Sequence, residues 1–140
     1  ETYFTQAMIM EIERSSLANV SSKEESQAIV LGEIRDIHYE AGAQVSNLTP
    51  GFQNLPSTAV LNQEYRVMVE LYVKLIRSSD MAVLWEGSFK GEKRYPAPII
   101  TKQSLNTANP LYNQSAHMIN IQQVSQDMTS EAFERMTENF

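Results

Sequence analysis

The sequence predicts an α+β fold, a two-layer sandwich in which two long helices pack on one face of a mainly antiparallel sheet. Three observations lead there. From Tyr65 to Leu75 every odd position is apolar, while the even ones are Arg66, Met68, Glu70, Tyr72 and Lys74; this is the alternation of a long half-buried strand. A short turn at Ser78-Ser79-Asp80 leads into Val83 to Phe89, where Val83, Trp85 and Phe89 share a face, so the two stretches read as a hairpin. Helical periodicity marks both ends of the chain. The length of 140 residues sets the expectation of a single domain, 1–140, able to bury one core without covalent staples.

The first element is an amphipathic helix over Thr2 to Ser16, with Phe4, Met8 and Ile12 at four-residue steps and Ala7 and Ile9 widening the stripe. Ser15, Ser16 and Asn19 end it, and Leu17 to Val20 reads as a short extended piece. Ser22-Lys23-Glu24-Glu25 has the pattern of a capped single turn. A strand follows from Gln27 to Tyr39. Ala28, Val30, Gly32 and Ile34 lie on one face and Ile29, Leu31, Glu33 and Arg35 on the other, so its start is expected to be partly covered on both sides. Ala41 to Val60 reads as a long loop, rich in Gly and Pro and free of charge. A second long loop is expected from Pro96 to Tyr112. The closing helix runs from about Gln114 to Thr137, its buried stripe marked by Ile121, Val124, Met128, Ala132, Met136 and Phe140.

Composition limits the function. There is no cysteine, which removes disulfide frameworks, cysteine zinc sites and thiol catalysis. Eleven Lys+Arg against 17 Asp+Glu give a net charge of −6, which argues against a nucleic-acid partner. No apolar run is long enough to span a bilayer as a helix. His38 and His117 are far apart in sequence and belong to no metal-binding motif, so each is read as structural or solvent-facing. Glu24-Glu25 is read as a solvated turn rather than an acid–base couple. No metal, cofactor or catalytic residue is expected, and the chain is read as a non-enzyme.

Several segments resemble the LPS-assembly lipoprotein family LptE. Gln27-Ala28-Ile29-Val30-Leu31-Gly32-Glu33-Ile34 is similar to that family's short "A-D-A-V-L-E-G-x-I" strand. Glu64-Tyr65-Arg66-Val67-Met68-Val69-Glu70-Leu71 and Val83-Leu84-Trp85-Glu86-Gly87 resemble "E-Y-R-L-x-V-x-V" followed by "V-L-W-E-G", and the helix from Asn113-Gln114-Ser115-Ala116 through Asp127-Met128 resembles its closing helix. Related patterns occur in LpoB-like, CsgG-like and TolB amino-terminal domains. Two departures stand out. The family's acylated cysteine and the strand before its first helix are not in this sequence, and the usual "T-G" at the hairpin turn is Asp80-Met81. The resemblance implies a lipid anchor upstream of Glu1 and a place on the periplasmic side of the outer membrane. It implies an LptD-type β-barrel and lipopolysaccharide as partners, with the protein supporting barrel assembly and lipopolysaccharide insertion. The alternative is a periplasmic lipoprotein that activates a cell-wall synthase or joins another envelope complex.

Register and charge mark the candidate site. For the apolar odd positions of both hairpin strands to share a face, a three-residue loop at Ser79-Asp80-Met81 would set Leu71 opposite Phe89 and Leu75 opposite Trp85. Outside, Glu70 then meets Lys90, Lys74 meets Glu86 and Arg66 meets Arg94. Two readings stay open: Glu64 and Glu92, diagonal to the arginines, neutralise them, or Arg66, Lys90 and Arg94, with Lys93 nearby, bind a phosphate of lipopolysaccharide or an acidic partner surface.

Overall fold

The computed structural model describes residues 2–51, 53–54, 56–58, 60–97 and 110–138. Helix α1 is Thr2–Ser15 and helix α2 is Pro110–Thr137. Between them come strands β1 (Ala28–Ala41), β2 (Gln44–Ser46), β3 (Val60–Asn62), β4 (Glu64–Arg77) and β5 (Val83–Pro96). One antiparallel sheet has the order β1-β4-β5, and β2 and β3 pair separately.

β4 lies in the centre, hydrogen-bonded to β1 on one side and β5 on the other, and it carries the longest run of alternating buried residues. Val67, Val69, Leu71, Val73 and Leu75 are buried and the even residues from Arg66 to Lys74 are half-buried, whereas Ile76 at the strand's end is buried too. Phe4, Phe89, Val124, Met128 and Ala132 join the first four of these in one cluster, so both helices and both hairpin strands contribute to it. A second cluster, Leu75, Phe133 and Met136, packs with Met8, Ile12, Ala28 and Trp85. α2 approaches β5 closely at Gly91, where a Cβ would run into Met128 and Val124, so the missing side chain lets the helix settle onto the strand.

Helix length decides how much of the sheet is covered. The 14 residues of β4 and the 28 of α2 both extend to roughly 40–50 Å. The 14 residues of α1 reach only about 21 Å. Ile37 and Tyr39 consequently stay 41% and 43% exposed, although their cross-strand partners Val69 and Val67 are buried.

Several expectations need correction. Each edge strand carries one irregularity. In β1 it falls between Ile34 and Asp36: Ile34 pairs with Leu71 and Asp36 with Glu70, leaving Arg35 over. Before it the even residues Val30 and Ile34 pair with buried residues of β4, and after it the odd residues Ile37 and Tyr39 do. The second leaves Leu84 over, because Leu75 pairs with Trp85 but Ile76 with Val83. Val83 therefore does not share the face of Trp85 and Phe89, and it is 51% exposed. The turn is a four-residue loop, closed by Arg77 N donating to Ala82 O at 2.9 Å. Asp80 accepts from Arg77 Nη1 and from Ala82 N, and Met81 takes φ +58°, a backbone region where glycine is at ease.

The expected loop from Ala41 to Val60 is also shorter than the sequence implied. Val45 pairs with Leu61 and is buried, so β2 and β3 extend the β1–β4 hairpin as a small ribbon. Leu17 to Val20 forms no strand, while Ser22 caps a turn through its carbonyl, which accepts from Glu25 N and Ser26 N. Most of the second expected loop, and Phe140, lie outside the described residues. α2 begins at Pro110, four residues earlier than expected, and its buried side also takes in Ser125, Thr129 and Phe133.

Leu71 is 3% exposed in the main cluster. Leu71→Ala should cost about 2–5 kcal/mol in a denaturant titration. A loss near zero would mean that this face of β4 is not the core.

Candidate functional site

The β4–β5 register sets Arg66 opposite Arg94, Glu70 opposite Lys90 and Lys74 opposite Glu86, with Leu71 facing Phe89 and Leu75 facing Trp85 on the other side. The result is a charged ladder on the face away from the core clusters. At its arginine end stands Glu92, two residues from Arg94 toward the turn. Arg94 Nε donates to Glu92 Oε1 at 2.9 Å, and Arg66 Nε lies 3.2 Å from the same oxygen. The Arg66 contact is an ion pair without hydrogen-bond alignment, since Arg66 Nε is buried and has no hydrogen-bond partner. One carboxylate thus bridges two arginines that would otherwise repel across the strands.

The rest of the ladder is paired in the same way. Lys90 Nζ is 3.8 Å from Glu70 Oε2. Tyr72 donates its hydroxyl to Glu86 at 2.6 Å, and Lys74 Nζ stands 4.0 Å from that carboxylate. Arg35, the extra residue of β1, stacks its guanidinium 4.0 Å from the centre of the Tyr72 ring. Of the four candidate cations the strands bring Arg66, Lys90 and Arg94 to one face. Lys93 is not with them. Strand alternation turns it to the helix side, where its Nζ is 3.7 Å from Asp127 of α2.

The histidines fall in separate places. His38 is exposed and 3.3 Å from Glu40, whereas His117 of α2 packs on the Tyr39 ring with centroids 4.5 Å apart. Tyr65 and Tyr95 pair across the strands close to Tyr39. Burial raises the hydroxyls of Tyr39 and Tyr95 above the ordinary tyrosine value, helped at Tyr95 by its two tyrosine neighbours. No group of three or more His, Asp or Glu among the described residues could hold a metal ion.

The hydrogen bond from Arg94 lowers the Glu92 pKa, with the charges of Arg66 and Arg94 adding to it. Such a carboxylate stabilises the fold above the ordinary carboxylate range, and the effect is lost as pH falls through its depressed value. Comparing thermal unfolding of the wild type and Glu92→Gln across acid pH should show a difference that shrinks as pH falls. A difference independent of pH would exclude a charge effect at Glu92.

No protein-family model matches the chain, and no curated protein matches it in sequence. Its fold does match solved structures. A chain described as a lipoprotein of Caulobacter crescentus CB15 overlays with a TM-score of 0.56 at 7% identity, covering 94% of this chain and 75% of that one. The rare lipoprotein B of Shewanella oneidensis overlays with a TM-score of 0.54 at 9% identity, covering 96% and 85%. At such identities the likeness establishes a shared α+β architecture, carried through nearly the whole of this chain.

Proposed function

We propose that this chain is a non-enzymatic lipoprotein subunit of the bacterial envelope, lying on the periplasmic side of the outer membrane. There it supports assembly of an LptD-type β-barrel and the insertion of lipopolysaccharide. The observation that carries this reading is the overlay, over more than nine-tenths of the chain, with two lipoproteins. The strand segments that resemble the LPS-assembly lipoproteins support the narrower part. In this reading the two helices form one layer over the sheet and leave the charged ladder as the free face. Arg66, Lys90 and Arg94 then take a phosphate of lipopolysaccharide. Glu92 is the internal anion that the phosphate displaces, and the arginine forks supply paired donors to it.

Two experiments test this. Co-purification from envelope extract should recover a large β-barrel; recovery of a penicillin-binding protein instead would favour a regulator of cell-wall synthesis. Changing Arg66 and Arg94 together to Gln should weaken lipopolysaccharide binding on the order of tenfold, with a larger effect at low salt. Unchanged binding in that double variant would remove the anion site.

A further inference from the structure

Arg66 and Arg94 stand opposite each other in neighbouring strands, and one carboxylate joins them. Glu92 Oε1 is 2.9 Å from Arg94 Nε, which donates to it, and 3.2 Å from Arg66 Nε, which is not aligned to do so. The buried Arg66 Nε therefore keeps an N–H with no acceptor. The other carboxylates nearby are turned elsewhere. Glu40, opposite Arg66 on β1, lies 3.3 Å from His38, and Glu70 lies 3.8 Å from Lys90. Glu64 leans over Gly42, where a Cβ would run into its side chain, and it reaches Arg94 through its charge alone. Among the described residues, Glu92 is the one carboxylate in an ion pair with both arginines. The pair and its carboxylate lie wholly within β4 and β5.

Glu92 thus closes the pair without completing its hydrogen bonds. The strand holds it beside Arg94, which gives it an effective concentration of roughly millimolar or more. An incoming anion binds only the fraction of molecules in which this carboxylate has swung away, so its apparent affinity is lowered by that fraction. The penalty is the same for every anion. What differs is the strength of the contact that replaces the carboxylate. A free carboxylate or a phosphodiester brings one charge, the same as Glu92 withdraws, and loses its freedom of motion on binding. A phosphate monoester brings about −1.5 to −2 charges at neutral pH and three terminal oxygens. One oxygen replaces Glu92 at Arg94, and another meets the N–H of Arg66 that Glu92 leaves unused.

We propose that Glu92 is a latch on the Arg66–Arg94 pair, which sets an affinity threshold that a doubly charged phosphate monoester clears and a singly charged group does not. The inference rests on the anion site of the proposed function. To that reading it adds the class of phosphate and the residue that restricts entry. A lipid headgroup and a soluble phosphate share this chemistry.

The probes are phenyl phosphate, a monoester, and methyl phenyl phosphate, a diester. Each is titrated calorimetrically into the full chain at physiological salt and about pH 8, where the monoester is doubly charged. The wild type should bind the monoester on the order of tenfold more tightly than the diester. Glu92→Gln should tighten both several-fold and by the same factor, which brings the diester into the measurable range. Glu64→Gln removes the same charge without opening the latch, and should change either affinity by less than about twofold. Vesicles identify the source. Co-sedimentation with phosphatidylcholine vesicles carrying phosphatidic acid, and not with those carrying phosphatidylglycerol, marks a lipid headgroup. Phenyl phosphate binding without vesicle binding marks a soluble phosphate, and either result supports the latch. The latch is overturned if Glu92→Gln leaves phenyl phosphate binding unchanged, if Glu64→Gln strengthens it as much, or if the wild type binds both probes alike. In those cases a loss of binding in the double variant Arg66→Gln, Arg94→Gln leaves the anion site standing. Unchanged binding there removes the site and the latch together.

Discussion

The alternation along β4 is the constraint on which the rest of the molecule depends. β4 is hydrogen-bonded on both sides, so neither its register nor its face can change without moving two neighbours. Its odd residues share the main core cluster with Phe4 of α1 and with Val124, Met128 and Ala132 of α2, and its even residues hold one rail of the charged ladder. Sliding β4 by one residue would exchange Leu71 for Glu70 in the core and break every ion pair across the hairpin at once. Core and charged surface are therefore two results of one register.

Much of this was legible in the sequence, because period-two patterning reports directly on which side chains can be buried. The pairings of Leu71 with Phe89, Glu70 with Lys90 and Arg66 with Arg94 follow from it, even though the turn that delivers them differs from the three-residue loop expected. A four-residue loop and the extra residue Leu84 lead to the same pairs, since each shifts the register by one in opposing senses. Val83 was misplaced for that reason: beyond the irregularity, parity no longer reports the face. Lys93 shows the reverse. Its odd number already set it apart from Lys90 and Arg94, and its nearness in sequence outweighed the alternation that placed it with Asp127.

Other parts depend on contacts that patterning does not carry. The ribbon of β2 and β3 has only three residues in each strand, too few to show a period. Ser125 and Thr129 are buried on α2 although their side chains are polar; Ser125 meets its need by donating to the Ile121 carbonyl at 2.7 Å. A groove of about 750 Å3 beside β1 is lined from α1, the connection 17–26, β1, β4 and α2, so no single stretch announces it. One hint existed: β1 begins apolar on both faces, and Leu17 and Val20 put apolar residues in a connection that needs none.

The extra residues Arg35 and Leu84 both sit in edge strands, and the central strand has none to spare. An edge strand can gain or lose one residue and realign beyond that point, whereas β4 would have to drag two partners along. Insertions and deletions in evolution should therefore gather in β1 and β5. Two chains of this architecture then keep equivalent backbones while their residues fall out of step, column by column. Shape would outlast sequence in such a lineage; with the two lipoproteins that it overlays at 7% and 9% identity, this chain shares a fold.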